Sequence, residues 1–211
     1  MGFELPPLYA IVDAGQAARH GWTVPDLAAA YFDGGARLVQ LRAPGAASGV
    51  IDGWCDAVVA RASGYGAAVI VNDRADVARM SGAAGVHLGQ DDLPVEDARR
   101  VVGESAVVGL STHTADQVGD ALARPVTYVA VGPVYATGTK DTGHRPVGPG
   151  FVRAAAERAA ATPVVAIGGI TLERAPEVMA AGAGAVAVIG DLLAGGRPTS
   201  RVQAYVDRLS K

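Results

Sequence analysis

The run Val131-Gly132-Pro133-Val134-Tyr135-Ala136-Thr137-Gly138-Thr139-Lys140 ends in a small-residue loop tipped by two hydroxyls and an ammonium. Threonine hydroxyls and backbone N–H groups beside glycine donate to phosphate oxygens, and a lysine adds a mobile positive charge. Thr137, Gly138, Thr139 and Lys140 therefore point to an anion, and phosphate chemistry leads the functional readings. The remaining chemistry-bearing residues fall in short clusters: Gln40-Leu41-Arg42, Asn72-Asp73-Arg74, His87-Leu88-Gly89-Gln90-Asp91-Asp92, Ser111-Thr112-His113, Gly168-Gly169-Ile170 and Ile189-Gly190.

Each cluster follows a short β-branched run, and these runs alternate with helical patterns at nearly even spacing. The expected strands are Leu8–Asp13, Leu38–Leu41, Ala68–Val71, Gly85–Leu88, Val107–Ser111, Tyr128–Val131, Val164–Ile167 and Ala185–Ile189. Between them, Ile51, Trp54, Cys55, Val58, Val59 and Ala62 recur at the three-and-four spacing of one buried helix face. Thr23 before Pro25 and Asp26 marks a helix start, and Gly34-Gly35 its stop. Eight strand–helix units predict a single-domain (β/α)8 barrel over residues 1–211, with a doubly wound open sheet as the rival. In such a barrel the loops after the strands form the active face. Strand alternation points Gln40 and Arg42 at the barrel axis and Val39 and Leu41 at the helices. An inward arginine needs an anion, and glycines after the seventh and eighth strands sit where many barrels bind phosphate through backbone N–H groups.

With 211 residues, half of them hydrophobic, the chain can bury a large core as one domain. A formal net charge of −3 gives no basic footprint for nucleic acid. The most apolar region, Val178 to Ile189, is too short to cross a bilayer, so no membrane association is expected. Met1 to Pro7 lacks a basic start followed by an apolar run, and the lone Cys55 excludes an internal disulfide; both favour the cytoplasm.

Six motifs in order carry a resemblance to the thiamine-phosphate synthase family. They are Gln40-Leu41-Arg42, Asn72-Asp73-Arg74-Ala75-Asp76, Gly85-Val86-His87-Leu88-Gly89-Gln90-Asp91-Asp92-Leu93-Pro94, Gly109-Leu110-Ser111-Thr112-His113, Gly132-Pro133-Val134 with Thr137-Gly138-Thr139-Lys140, and Val165-Ala166-Ile167-Gly168-Gly169-Ile170. The resemblance implies a (β/α)8 barrel that joins an aminopyrimidine diphosphate to a thiazole phosphate, releasing diphosphate with Mg²⁺. It implies Asp73 and Asp92 as metal carboxylates, and Arg42, Asn72, Ser111 and Lys140, with Gln40 alongside, as holders of the diphosphate. Arg42 and Lys140 would take the catalytic share by stabilising charge as the C–O bond breaks. Thr137, Gly138, Thr139, Gly169 and the Ile189-Gly190 turn would hold the thiazole phosphate. No protein nucleophile is required, because the family's pyrimidine leaves as a resonance-stabilised cation that the thiazole nitrogen captures.

Plainer readings stand beside these. Asp73 and the Asp91-Asp92 pair are also ordinary helix caps, with Asp92 rather than Asp91 chosen for metal on the family spacing. Arg42 is also a rim ion-pair partner, His87 a core histidine, His113 an ordered loop residue and Gly168-Gly169 a tight turn. His20, His144, Cys55, Trp22 and Trp54 default to packing or surface. Pro44 stands where the family commonly has a lysine, for which Arg145 is the candidate substitute, and Gly190-Asp191 replaces a serine and a small residue. Asp191 near a phosphate is repulsive unless it points away. A thiazole tautomerase, with His113 as acid or base, and a non-catalytic barrel that senses thiamine intermediates are the alternatives. Glycines 138, 143 and 148 would permit the Lys140 loop to close as a lid.

Overall fold

The computed structural model describes residues 3–138 and 143–210. Elements follow in the order β1 (Leu8–Asp13), α1 (Ala14–Arg19), α2 (Val24–Asp33), β2 (Leu38–Arg42), α3 (Ser48–Ser63), β3 (Ala68–Asn72), α4 (Ala75–Ser81), β4 (Gly85–Leu88) and α5 (Val95–Val102). Then come β5 (Val107–Thr112), α6 (Ala115–Leu122), β6 (Tyr128–Val131), α7 (Gly148–Ala159), β7 (Val164–Ile167), α8 (Ala175–Ala180), β8 (Ala185–Val188), a 3₁₀ segment (Gly190–Gly196) and α9 (Pro198–Leu209). The strands pair in parallel, each with the next, and β1 closes on β8. The closed barrel bears out the eight-unit reading over the open sheet.

Strand starts match expectation throughout, and four of the eight ends differ by a single residue. Arg42, Asn72 and Thr112 continue their strands because each still has a register partner, in Asp13, His87 and Val131. Ile189 leaves β8 instead: its ψ of −84° turns the chain into the 3₁₀ segment. At α2 the expected punctuation is present, with the Thr23 hydroxyl accepting from the Asp26 N–H at 3.2 Å and Gly34 as the C-cap.

Two packed layers hold the barrel. Outward strand residues such as Val39, Leu41, Val71 and Val86 pack under the helices with Ile51, Cys55 and Val58 of α3. Inside the barrel lies a smaller cluster that includes Tyr9, Ile11, Leu38, Ile70, Val107, Tyr128 and Val165. Fully burying an aliphatic side chain contributes about 1.5–3 kcal/mol relative to exposure, so these two layers dominate the fold's stability. Tyr128 fits its ring into the interior because position 109 is glycine; a Cβ there would lie 2.1 Å from the Tyr128 Cζ. Among the described residues no helix is long and apolar enough to cross a membrane.

Candidate active site

Polar side chains gather where β1 to β5 end. Gln40, Arg42, Asn72, Asp73, His87, Gly89, Gln90, Asp91, Asp92, Ser111 and His113 line a cavity of about 500 Å³ at this mouth. Arg42 donates from Nη1 to Asp13 Oδ2 at 2.5 Å. Asp13 is itself the N-cap of α1, accepting from the Gln16 N–H at 2.9 Å. Thus the rim ion pair that competed with the anion-binding reading exists, and Arg42 lines the cavity as well. A guanidinium has five N–H donors in a fork, so a carboxylate on one side leaves donors for an anion on the other.

Neither carboxylate expected at a metal is a helix cap. Arg74 occupies the N-cap of α4 and Pro94 that of α5, both without a side-chain cap bond. Asp73 adopts φ +64°, a left-handed conformation that a non-glycine residue holds at a cost of order 1–3 kcal/mol and that concentrates at functional sites. Its own N–H donates to the His87 carbonyl at 2.8 Å, which anchors it to β4. Asp92 Oδ2 accepts from the Gly89 N–H at 2.6 Å and so folds the β4–α5 loop back toward the cavity. Asp91 is exposed. Arg74 turns away from the cavity, donating to both oxygens of Asp76 at 2.8 and 2.6 Å and to Ser48 at 3.0 Å. Pro44 borders a side cavity of about 170 Å³ with Asn72, Asp73 and Arg74, while Arg145 is exposed and lines neither mouth cavity.

Around β6 to β8 the lining changes character. Gly132, Pro133, Ala136, Thr137, Gly138, Ile167, Gly168, Gly169, Ile170, Ile189 and Gly190 are among those bounding a second cavity of about 460 Å³. Gly168 and Gly169 hold φ +99° and +63°, and a Cβ on Gly169 would meet the Ala136 carbonyl at 2.6 Å. The pair is therefore a required tight turn, one that packs the β6 loop against the β7 loop while lining the cavity. Thr137 and Gly138 stand at the wall as expected, whereas Thr139 and Lys140 lie outside the described residues.

Asp191, the residue that threatened to repel a phosphate, is tied down. It accepts from Arg201 Nη2 at 2.8 Å, from the Tyr205 hydroxyl at 2.6 Å and from the Leu172 N–H at 3.1 Å. Burial, reinforced by the bond to Asp191, pushes the Tyr205 phenol far above its ordinary value and keeps it protonated as a donor. Asp191 also lines the glycine-walled cavity, where its charge is offset chiefly by Arg201 of α9.

Three participants escaped the sequence reading. Asp13 is the first, as the partner of Arg42; only its place at a strand end hinted at it. Arg174 is the second: it borders the glycine-lined cavity, lies 4.5 Å from the Tyr135 ring centroid and donates to the Gly169 carbonyl at 3.0 Å. Its signal was a cation five residues beyond a glycine-lined turn. His144 is the third, expected at a packing or surface position without chemistry; it is exposed, lines the charged cavity and stacks on His113 with centroids 4.0 Å apart. His113 is the ordered loop residue expected, held through Nδ1 on the Gly132 carbonyl at 2.6 Å.

The two cavities share a wall made of Ser111, His113, Ile167 and Ile189. A charged chamber joined to a mostly apolar, glycine-walled one at the C-terminal mouth of a closed parallel barrel defines the class: a (β/α)8 barrel with a two-chambered mouth. The chain belongs to the thiamine monophosphate synthase family, whose model matches residues 8–192. It is 38% identical over 213 residues to thiamine-phosphate synthase of Methanoculleus marisnigri, covering all of this chain and 97% of that one. It is 40% identical over 191 residues to the thiamine biosynthesis bifunctional protein ThiM/ThiE of Symbiobacterium thermophilum, covering 90% of this chain and 40% of the relative. With several other curated synthases the match spans 58–64% of the relative's length. Among solved structures, thiamine phosphate pyrophosphorylase from Pyrococcus furiosus superposes with a TM-score of 0.86 at 27% identity, covering 96% of this chain and 95% of that one.

Proposed function

We propose that this chain is a thiamine-phosphate synthase, a transferase that joins 4-amino-2-methyl-5-pyrimidinylmethyl diphosphate to a thiazole phosphate and releases diphosphate. The observation that carries this reading is the shared wall at Ser111, His113, Ile167 and Ile189, because two chambers of opposite character meet there. A diphosphate fits the chamber with Arg42, Asn72 and the carboxylates; an aromatic phosphate fits the one with glycine N–H groups and aliphatic walls. Binding both substrates across one wall places the thiazole nitrogen next to the pyrimidine carbon and removes the entropy of bringing them together.

Arg42, Asn72 and Ser111, with Gln40 beside them, are assigned to the diphosphate, and Lys140 joins them on sequence alone. Their donors are fixed before the C–O bond breaks, so they stabilise the growing charge without reorganising. Thr137, Gly138, Thr139, Gly169, Ile189 and Gly190 are assigned to the thiazole phosphate, with Arg174 added from the geometry. Asp73 and Asp92 fit Mg²⁺: a hard cation takes one or two carboxylates and completes its shell with substrate oxygens and water. Among the described residues no group of three acidic, histidine or cysteine side chains could hold a metal alone, which suits a cation that arrives with the diphosphate. Bound there, Mg²⁺ supplies neutralisation of the leaving group's charge. The reading also carries residues 1–211 as one working unit and a cytoplasmic setting, in keeping with a buried, free Cys55. The charged chamber disfavours the tautomerase, which has no diphosphate to hold.

The test is formation of thiamine phosphate from the two substrates, with Mg²⁺ and with chelator, comparing wild type with Asp92→Ala. Metal-dependent product that collapses in the variant is expected. A folded protein that binds thiazole phosphate yet makes no product would overturn the reading, and proton exchange into the thiazole would then favour the tautomerase.

A further inference from the structure

Five side chains form an unbroken hydrogen-bonded arc through the barrel interior, and both of its ends open on the charged cavity. Gln40 Nε2 donates to the Tyr9 hydroxyl at 2.8 Å, and the Tyr9 and Tyr128 hydroxyls lie 3.1 Å apart. The Tyr128 hydroxyl meets His87 Nδ1 at 2.8 Å, and His87 Nε2 meets Ser111 Oγ at 2.8 Å. Tyr9 and Tyr128 are 1% exposed, and among the described residues the arc is what satisfies their hydroxyls. Burial raises both phenols well above their ordinary value, which keeps each a proton donor.

Counting protons gives the arc a direction. With Gln40 donating, the Tyr9 O–H goes to the Tyr128 oxygen and the Tyr128 O–H goes to His87 Nδ1. His87 must then be the neutral tautomer with its proton on Nε2, which it gives to the Ser111 oxygen. The hydroxyl proton of Ser111 is left over for the cavity. Run the other way, from Ser111 to the Gln40 carbonyl oxygen, the same arc spends that proton on His87 and turns a serine lone pair toward an incoming anion. One buried amide orientation therefore decides whether Ser111 attracts or repels negative charge.

We propose that Tyr9, Tyr128 and His87 are positioning residues that act through Ser111, holding its hydroxyl as a donor to a diphosphate oxygen. The assignment rests on the synthase reading for the identity of the anion, but the arc itself can be tested with inorganic diphosphate alone. Gly109 belongs to the device, since any side chain there would displace the Tyr128 ring.

The experiment is a double-mutant cycle on Tyr128→Phe and Ser111→Ala with Mg²⁺ present, reading calorimetric affinity for inorganic diphosphate, kcat, the KM for thiazole phosphate and Tm. Phenylalanine keeps the ring and removes only the link. Tyr128→Phe should weaken diphosphate binding and lower kcat about fivefold each, the size of one lost hydrogen bond, with thiazole phosphate KM within twofold of wild type. Added to Ser111→Ala, it should cost nothing more, because its target is gone. A merely structural tyrosine would lower Tm and give effects that multiply in the double variant, which would overturn the proposal; so would wild-type diphosphate affinity in Tyr128→Phe. If that variant fails to fold, Tyr9→Phe breaks the arc one link upstream and is held to the same criteria with a smaller loss. Diphosphate binding by a wild type without turnover would sink the synthase reading and leave the arc to be judged on affinity; absence of both would sink the two together.

Discussion

Along β1 to β5 the barrel mouth is furnished with side chains, whereas along β6 to β8 it is furnished with backbone. In the first region Asp13, Arg42, Asp73, Asp92 and Ser111 project functional groups from strand ends and the loops after them, several fixed by a neighbour: Arg42 by Asp13, Asp92 by the Gly89 N–H, Ser111 by His87. In the second region the wall is mostly backbone at Gly132, Gly168, Gly169 and Gly190, with two loops in close approach and charge only at its edge, from Arg174 and the Arg201-paired Asp191. On the synthase reading, the difference teaches how one fold would bind two anions without confusing them. A diphosphate with a divalent cation is small, highly charged and hard, and meets fixed ions. A phosphate on an aromatic ring brings a large apolar body, and needs N–H donors at the end of a dry slot.

The sharpest way to break that contrast is to remove the one described cation of the charged half. Arg42→Ala should lower kcat by about 10²–10³-fold, as removal of a preorganised donor to developing charge does elsewhere, with thiazole phosphate KM nearly unchanged. Steady-state kinetics with each substrate varied in turn would check it. A kcat within threefold of wild type would show that the ion pair with Asp13 exhausts the role of Arg42, and that bond breaking is assisted from another part of the mouth.

The backbone half should respond in the opposite sense. At Gly169 an alanine combines φ +63° with contacts of 2.6 Å to the Ala136 carbonyl and 2.8 Å to the Tyr135 Cβ, so the β6 and β7 loops must separate. Gly169→Ala should cost on the order of 1–3 kcal/mol of stability and raise the KM for thiazole phosphate several-fold. Diphosphate affinity should stay put. A thermal melt together with diphosphate calorimetry would test this, and a parallel loss of diphosphate binding would mean that the two halves are not mechanically separate.

The same contrast explains how much was legible in the sequence. Strand positions read clearly because every strand is a β-branched or apolar run between turn signals, and period-two alternation correctly sent Gln40 and Arg42 inward. Residue types announced the side-chain half: an inward arginine, two carboxylates after strands and a serine after a strand are chemically conspicuous. What stayed hidden was pairing across distance. Nothing local in the sequence links Asp13 to Arg42, 29 residues away, or Asp191 to Arg201 and Tyr205 on α9. The Asp191 concern resolved because a charge is neutralised by whichever partner the fold brings, and that partner belongs to another element. Likewise the Tyr9–Tyr128–His87 arc joins two tyrosines that carried no signal of their own to a histidine whose core and site readings stood level. The Thr139 and Lys140 assignments fall outside the described residues, so they rest on the sequence motif.

Arg174 offers the finest discrimination between the halves, because it is the one described cation lining the side built mostly from backbone. It is exposed, lying over Tyr135 and bonded to the Gly169 carbonyl, while Tyr135 in turn donates to Glu177 at 3.0 Å. This clamp holds the guanidinium at the cavity edge but leaves it in contact with water, so its attraction for a phosphate is screened. Arg174→Ala should therefore raise the KM for thiazole phosphate by only about three- to tenfold, with kcat and diphosphate affinity unchanged, and the difference from wild type should shrink as salt rises from about 0.05 to 0.5 M. Arg174→Lys should recover part of the loss, since a point charge survives while the planar fork over the Tyr135 ring does not. A salt-independent KM change would assign Arg174 to holding the Gly168-Gly169 turn through the Gly169 carbonyl, and the glycine-walled half would then bind its phosphate without any of the charge seen among the described residues.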